Sequence, residues 1–75
     1  MTDQEFLKYL GKNISYLRKL KGYSQLDLGL KIDMEKSNLS AIENGRQNPT
    51  SLTLKKIADA LDVNVKDFFK DTDIH

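Results

Sequence analysis

Hydrophobic residues recur along this chain at the three- and four-residue spacing of amphipathic α-helices. The spacing predicts a first helix over residues 3–21, with Phe6, Leu10, Ile14 and Leu17 on its apolar face. This helix is the longest in the pattern, and its apolar face must pack against whatever follows it in the chain.

A second, shorter helix is predicted to begin after Ser24, because a serine hydroxyl can accept a backbone N–H at a helix start. Leu28 and Ile32 lie four residues apart and share one face of this helix. Asp33-Met34 then forms a tight turn, since aspartate tolerates positive φ better than most residues.

A third helix is predicted to begin near residue 35 or 36, with Leu39 and Ile42 on its inner face. It ends at Asn44-Gly45, because glycine tolerates the left-handed conformation that closes a helix. Residues 24–45 therefore form two short helices joined by a turn, and two such helices cannot bury a core without the rest of the chain.

A polar loop containing Pro49 precedes a fourth helix, which is predicted over residues 51–61. Its inward face carries Leu54, Ile57, Ala58 and Leu61. After a turn at residues 62–64, Asn64 can cap a last short helix from residue 65 to about residue 70, and residues 71–75 are expected to be frayed. The fold class predicted is all-α, a compact arrangement of five helices in a single domain over residues 1–75, with its core at about residues 10–69.

Two features of this pattern have more than one interpretation. Gly11 lies inside the first helix and either allows close packing or marks a fresh helix start near Leu10. Leu26 and Leu30 cannot both face inward together with the other apolar residues of the short second helix. They are either partly exposed or covered by aromatic residues of the N-terminal extension, Phe6 and Tyr9.

Length and composition exclude several classes of protein. A chain of 75 residues leaves no room for an enzyme-sized cleft beside a complete core. Cysteine is absent and His75 is the only histidine, so neither a metal site nor a nucleophile–base pair is expected, and no cofactor is predicted. No apolar run approaches the length of about 20 residues that a membrane span needs, and a cytoplasmic protein is expected.

The charge of the chain is unevenly distributed, although its net value is only +1. Residues 1–56 contain ten basic and six acidic side chains, whereas residues 57–75 contain two basic and five acidic ones. A basic part that includes the two short helices, followed by an acidic end, is typical of a DNA-facing module with a separate partner-facing end. A chance division of surface charge is the alternative.

The outward face of the third helix is polar and of low profile, which suits a helix that enters the DNA major groove. This face consists of Lys36, Ser37, Ser40 and Ala41.

The stretch as a whole resembles the helix-turn-helix of the phage-repressor and Cro family, the Xre group. The residues that carry the resemblance are Ser24-Gln25, Leu28-Gly29, Ile32, Met34, Leu39 and Ile42-Glu43-Asn44-Gly45. The family usually has alanine where Gly29 stands and glycine where Asp33 stands, and both departures keep the steric requirement.

The resemblance implies a lambda-repressor-like fold and assigns roles to individual residues. Lys36, Ser37 and Ala41 match the family's base-facing positions, and Ser40 lies on the same surface. The residues that would contact DNA phosphates are Gln25, Asn38, Asn44, Arg46 and Asn48. For all of these the alternative is an ordinary solvent-exposed position.

Three further residues are singled out by the comparison with the family. Arg18 and Glu43 stand where the family places a structural ion pair between the first and third helices. Glu35 is a departure, since a carboxylate at the start of a DNA-facing helix suits the helix dipole but repels phosphate. It either points away from DNA or pairs with Lys36 or Lys31.

The C-terminal aromatic pair suggests a dimer. Phe68 and Phe69 are adjacent and point about 100° apart on a helix, so we expect Phe68 in the core and Phe69 in a homodimer interface with Val63 and Val65. The alternative is that both phenylalanines are partly buried in one monomer.

The function expected is sequence-specific binding of a near-palindromic double-stranded DNA operator by a transcriptional regulator. A protein-interaction module that has the same fold and does not bind DNA is the alternative.

Overall fold

The computed structural model describes residues 1–70, and these form four α-helices and one 3-10 helix. The elements in chain order are α1 (Asp3–Leu20), α2 (Gln25–Lys31), α3 (Lys36–Glu43), α4 (Ser51–Leu61) and a 3-10 segment (Val65–Phe69). The all-α prediction is confirmed. The frayed end predicted for residues 71–75 lies outside the described residues.

The prediction of five α-helices is wrong for the last element, which is a 3-10 segment. Its five residues are too few for several successive i→i−4 hydrogen bonds, and the Asp67 N–H donates instead to the Asn64 carbonyl at 2.9 Å, three residues back. The Asn64 N–H in turn donates to the Asp67 carboxylate at 3.0 Å. The hydrogen bond from Lys70, followed by this backbone bond, lowers the pKa of Asp67 below its ordinary value.

Hydroxyl side chains fix where three of the helices begin. Ser24 caps α2 by accepting the Asp27 N–H at 3.0 Å, as predicted from the sequence. Thr2 does the same for α1 and Thr50 for α4. By contrast, Glu35 occupies the cap position of α3 without any side-chain capping hydrogen bond.

Left-handed residues close the helix ends and set the turns. Asp33 has φ of 56° in the turn between α2 and α3, which confirms the prediction that aspartate forms this turn because it tolerates positive φ. Gly45 follows α3 with φ of 74°, and Asp62 ends α4 with φ of 57°.

The core lies where α1, α3, α4 and the 3-10 segment meet, with α2 packed across one side. Its buried members are Leu10, Ile14, Leu28, Leu39, Ile42, Leu54, Ile57, Ala58, Leu61 and Phe68. The apolar faces predicted for the four helices supply nearly all of it. Leu17 and Ile32 are only partly buried against this core, and Phe6 remains 41% exposed.

The backbones of α1 and α3 approach each other very closely at Gly11. α1 is one continuous helix, so a fresh start near Leu10 is excluded. A Cβ at Gly11 would lie 2.4 Å from the Ile42 carbonyl oxygen and 2.5 Å from that of Glu43. Only a glycine lets the two backbones come this close, and the close-packing interpretation is therefore correct.

Leu26 and Leu30 are exposed, and the aromatic residues of α1 do not cover them. Phe6 instead stacks on Phe69 at a centroid distance of 6.1 Å, and the Tyr9 hydroxyl donates to the Phe69 carbonyl at 2.6 Å. The first turns of α1 thus pack against the C-terminal 3-10 segment and not against Leu26 and Leu30. None of the helices within residues 1–70 has the length and apolar character required to cross a membrane.

Candidate nucleic-acid interface

The turn between α2 and α3 is held by a very close backbone approach. The Met34 N–H donates to the Gly29 carbonyl at 2.7 Å, and a Cβ at Gly29 would lie 2.5 Å from the Met34 carbonyl oxygen. The small residue at this position therefore lets the chain fold back on α2 and fixes how α3 leaves the turn.

The two faces of α3 differ sharply in burial and chemistry. Leu39, Ile42 and Glu43 are buried, whereas the opposite face carries the four residues predicted to read bases. Of these, Lys36 and Ser37 are exposed and Ser40 and Ala41 are half-buried. At 100° per residue these four residues span an arc of about 140°, so they form one continuous surface, which we name the reading face.

A buried ion pair ties α3 to α1. The Arg18 guanidinium contacts the Glu43 carboxylate through two hydrogen bonds, Nε to Oε2 at 2.7 Å and Nη2 to Oε1 at 3.0 Å. Arg18 Nη1 also donates to the Tyr23 carbonyl at 2.7 Å, which reaches into the loop before α2. Both charged residues are buried, so this bidentate pair stabilises the fold and is not placed to bind a ligand.

Gln25 takes part in the same network, which its position at the start of α2 did not reveal. Its Nε2 donates to Glu43 Oε1 at 3.0 Å. The amide group has two N–H donors and a carbonyl, so one donor is committed to Glu43 and the other remains for a second partner. The network thus joins α1, α2 and α3 through one carboxylate.

The residues predicted to contact phosphates are Gln25, at the start of α2, and four exposed residues on α3 or in the loop after it. The four exposed residues are Asn38 on α3, Asn44 at its end, and Arg46 and Asn48 in the loop that follows. Asn44 Nδ2 donates to the Ser40 hydroxyl at 3.2 Å, which brings one predicted phosphate-contacting residue onto a predicted base-reading one.

Glu35 does not form either of the ion pairs considered for it. Among the salt bridges of residues 1–70, neither Lys31 nor Lys36 is its partner. Lys31 Nζ donates to the Tyr23 hydroxyl at 3.0 Å instead. The Glu35 carboxylate is exposed at the N-terminal end of the reading face.

The residues predicted to form a dimer interface lie at the end of the domain formed by α1 and the 3-10 segment. Phe68 is fully buried, while Phe69 is 42% exposed and stacks on Phe6. Val63 and Val65 are half-buried and pack against the core.

Gln4 and Lys8 contact the glycine that follows α3, and the sequence did not identify either residue. Gln4 Nε2 donates to the Gly45 carbonyl at 3.1 Å, directly after α3. The Lys8 backbone and side-chain stem pack against the same glycine. No local pattern predicts such a contact, since Gln4 and Gly45 are 41 residues apart. No group of three or more His, Cys, Asp or Glu side chains in residues 1–70 is placed to bind a metal ion.

A short capped helix, a tight turn closed at a small residue, and a second helix with a buried inner and a polar outer face together define the helix-turn-helix class of DNA-binding domains. The profile of the family described as Helix-turn-helix matches residues 14–68. This chain therefore belongs to that family of transcriptional regulators, as its resemblance to the phage-repressor and Cro group predicted.

Similar proteins are regulators of this kind. An uncharacterized HTH-type transcriptional regulator, y4dJ of Sinorhizobium fredii, is 36% identical over 66 residues, which cover 88% of this chain and 86% of that protein. The HTH-type transcriptional regulator SinR of Bacillus subtilis is 44% identical over 57 residues, and the match covers 75% of this chain but only 51% of SinR. The crystal structure of the restriction-modification controller protein C.AhdI from Aeromonas hydrophila superposes with a TM-score of 0.84 at 29% identity, covering 87% of this chain and 98% of that one.

Proposed function

We propose that this protein is a sequence-specific regulator of transcription that binds double-stranded DNA as a homodimer, with α3 in the major groove of a near-palindromic operator. The observation that carries the proposal is the reading face, where small and long polar side chains stand opposite a fully buried apolar face. In this proposal the protein acts on an operator in the cytoplasm, without a cofactor and without catalysis.

The reading face has the chemistry that distinguishes base pairs in the major groove. Lys36 can donate to guanine O6 and N7, the serine hydroxyls at positions 37 and 40 can serve several bases, and the Ala41 methyl can touch a thymine methyl. The Ser40 hydroxyl accepts a hydrogen bond from Asn44 and keeps its own hydrogen for a base. Sequence preference in this proposal therefore comes from α3 alone.

Phosphate contacts on both sides of the reading face would set its orientation on the duplex. Arg46 supplies a positive charge in the loop after α3, with neutral donors beside it in Asn44 and Asn48. On the other side, Gln25 has one N–H free while the other binds Glu43. Such contacts position a protein and carry no sequence information.

The homodimer is proposed to form through Phe69, with Val63 and Val65 at its edge. Support comes from the position of Phe69, which stays 42% exposed although it is a large aromatic residue stacked on Phe6. These residues belong to the acidic part of the sequence, residues 57–75, so pairing would leave free the basic part, residues 1–56, which contains the helix-turn-helix. Two recognition helices would then contact half-sites about one helical turn apart, ~34 Å.

Selection of binding sites from a random pool of double-stranded DNA tests the proposal directly. The expected result is enrichment of one motif with two-fold symmetry and two half-sites. The Lys36→Ala variant should yield a different or degenerate motif at the position it contacts, whereas Lys55→Ala, an exposed lysine on α4, should return the wild-type motif.

Failure to enrich any motif would refute DNA reading and favour the alternative, a protein-interaction module built on the same fold. A single asymmetric motif would retain DNA binding and refute the homodimer. The two parts of the proposal are therefore separated by one selection.

A further inference from the structure

We propose that Gln4 is a positioning residue for DNA binding, which holds the loop after α3 (residues 44–48) so that Arg46 meets the phosphate backbone. The inference rests on the proposed function, because the loop matters only if the protein binds DNA. It gives a role to the first turns of α1, which lie before residues 14–68, the part of the chain that the family profile matches.

The peptide group that links Gly45 to Arg46 is hydrogen-bonded on both sides. Its N–H, which belongs to Arg46, donates to the Ala41 carbonyl at 2.9 Å. Its carbonyl, which belongs to Gly45, accepts the Gln4 Nε2 donor at 3.1 Å. The peptide plane is thus held from α3 on one side and from α1 on the other, and this plane sets the direction in which the Arg46 Cα and side chain leave the helix.

Gly45 would have considerable freedom without these contacts. Its φ of 74° lies in the left-handed region, where glycine has no steric penalty and the flanking torsions are soft. Lys8 closes the space above it, since a Cβ at Gly45 would lie 2.8 Å from the Lys8 backbone nitrogen and 2.9 Å from its Cα. The glycine is therefore required by the proximity of α1 as well as by the helix end.

The same turns of α1 also reach the far end of the loop. Asp3, Phe6 and Leu7 line a surface hollow together with Asn48. α1 therefore borders the loop at both Gly45 and Asn48, and Arg46 lies between these two supports. Removing the Gln4 amide should release the first support and leave the second in place.

Gln4→Met tests the inference, because methionine keeps the length and helix propensity of glutamine and removes the hydrogen-bond donor. The variant should remain folded with a melting curve close to that of the wild type. The Arg46 amide should exchange its hydrogen faster, and affinity should fall by roughly two- to tenfold for operator and unrelated DNA alike, as expected for one neutral hydrogen bond. Gln47→Met is the matched control for amide exchange, since it removes an exposed glutamine next to Arg46 and leaves the Gly45 carbonyl bonded.

The Arg46→Ala background shows whether Gln4 acts through Arg46. In that background Gln4→Met should cost no further affinity, because the side chain that it positions is gone. An equal loss in both backgrounds would overturn the inference, and so would unchanged Arg46 exchange in Gln4→Met. If the wild type bound no DNA, the proposed function would fail, while amide exchange in the free protein would still decide whether Gln4 holds the Gly45 peptide.

Discussion

The buried ion pair between Arg18 and Glu43 allows the most quantitative prediction. Arg18→Ala removes both hydrogen bonds to the Glu43 carboxylate and the third one to the Tyr23 carbonyl. Glu43 then keeps only the Gln25 amide as a partner among the hydrogen bonds described. Helix propensity is not the cause of any loss, since alanine is at least as good a helix former as arginine.

The expected loss is large compared with the stability of so small a domain. Breaking a buried pair from one side costs about 3–5 kcal/mol, because the remaining charge is left buried and under-solvated. A domain of 75 residues is expected to have a free energy of unfolding of roughly 4–11 kcal/mol. At about 4–8 °C per kcal/mol for this size, the melting temperature should fall by at least about 12 °C.

Urea unfolding followed by circular dichroism at 222 nm measures this loss at one temperature. Lys55→Ala is the matched control, because Lys55 pairs with Asp59 at 2.8 Å while both side chains are 66% exposed. Solvent screens such a pair, so the control midpoint should hardly move. The double variant Arg18→Met/Glu43→Leu should recover part of the loss, since no buried charge is left unpaired, while the Tyr23 carbonyl and the Gln25 amide still lose a partner.

A loss below about 1 kcal/mol for Arg18→Ala would refute this reasoning, because that value is typical of exposed pairs. Failure of the double variant to recover any stability would show that the hydrogen bonds of the whole network, including those to Tyr23 and Gln25, supply the stabilisation, and that the orphaned carboxylate is not the cause of the loss.

Four further predictions concern packing, DNA binding and assembly. Gly11→Ala should destabilise the domain by about 1–3 kcal/mol despite its better helix propensity, because the new Cβ meets the Ile42 carbonyl at 2.4 Å; a more stable variant in thermal unfolding would contradict the close packing. The logarithm of the DNA association constant should fall linearly with the logarithm of salt concentration, with a slope reduced by about one in Arg46→Ala. A salt-independent association would contradict the phosphate contacts. Lys36→Ala should instead change base preference by about 1–3 kcal/mol. Phe69→Ser should remain helical and shift toward monomer in analytical ultracentrifugation, with weaker operator binding; a variant that stays dimeric would place the interface elsewhere.

The sequence predicts those elements whose signals are local. Ser24 caps α2, Asp33 takes the positive φ of the turn, and the residues at positions 39 and 42 bury one face of α3. Each of these signals needs only neighbours within four residues, so hydrophobic spacing and capping rules suffice. The last element has only five residues, and the spacing of apolar residues over so short a stretch is the same for an α-helix and a 3-10 helix.

Contacts between distant parts of the chain were not predictable in the same way. Phe6 continues the apolar stripe of α1, yet it stacks on Phe69 at the surface because the core is already filled by Leu10 and Ile14. Gln25 has the spacing of an exposed helix start, and only the three-dimensional crossing of the helices brings it to Glu43. The direction of a side chain around a helix is a local property, whereas the partner that it meets depends on the whole fold.

α1 connects the two ends of the proposed regulatory unit. It touches α3 at Gly11, and two residues later Asn13 donates to the Phe68 carbonyl at 2.7 Å and the Lys70 carbonyl at 3.1 Å. Because both contacts lie within one turn of the same helix, α3 and the 3-10 segment are held in a fixed relation to each other. With a dimer formed through Phe69, the distance between the two reading faces would be fixed and could not adapt. One added base pair at the operator centre moves the second half-site by about 3.4 Å and turns it by about 35°. The dimer would therefore select operators by the number of base pairs between their halves as strictly as by the bases themselves.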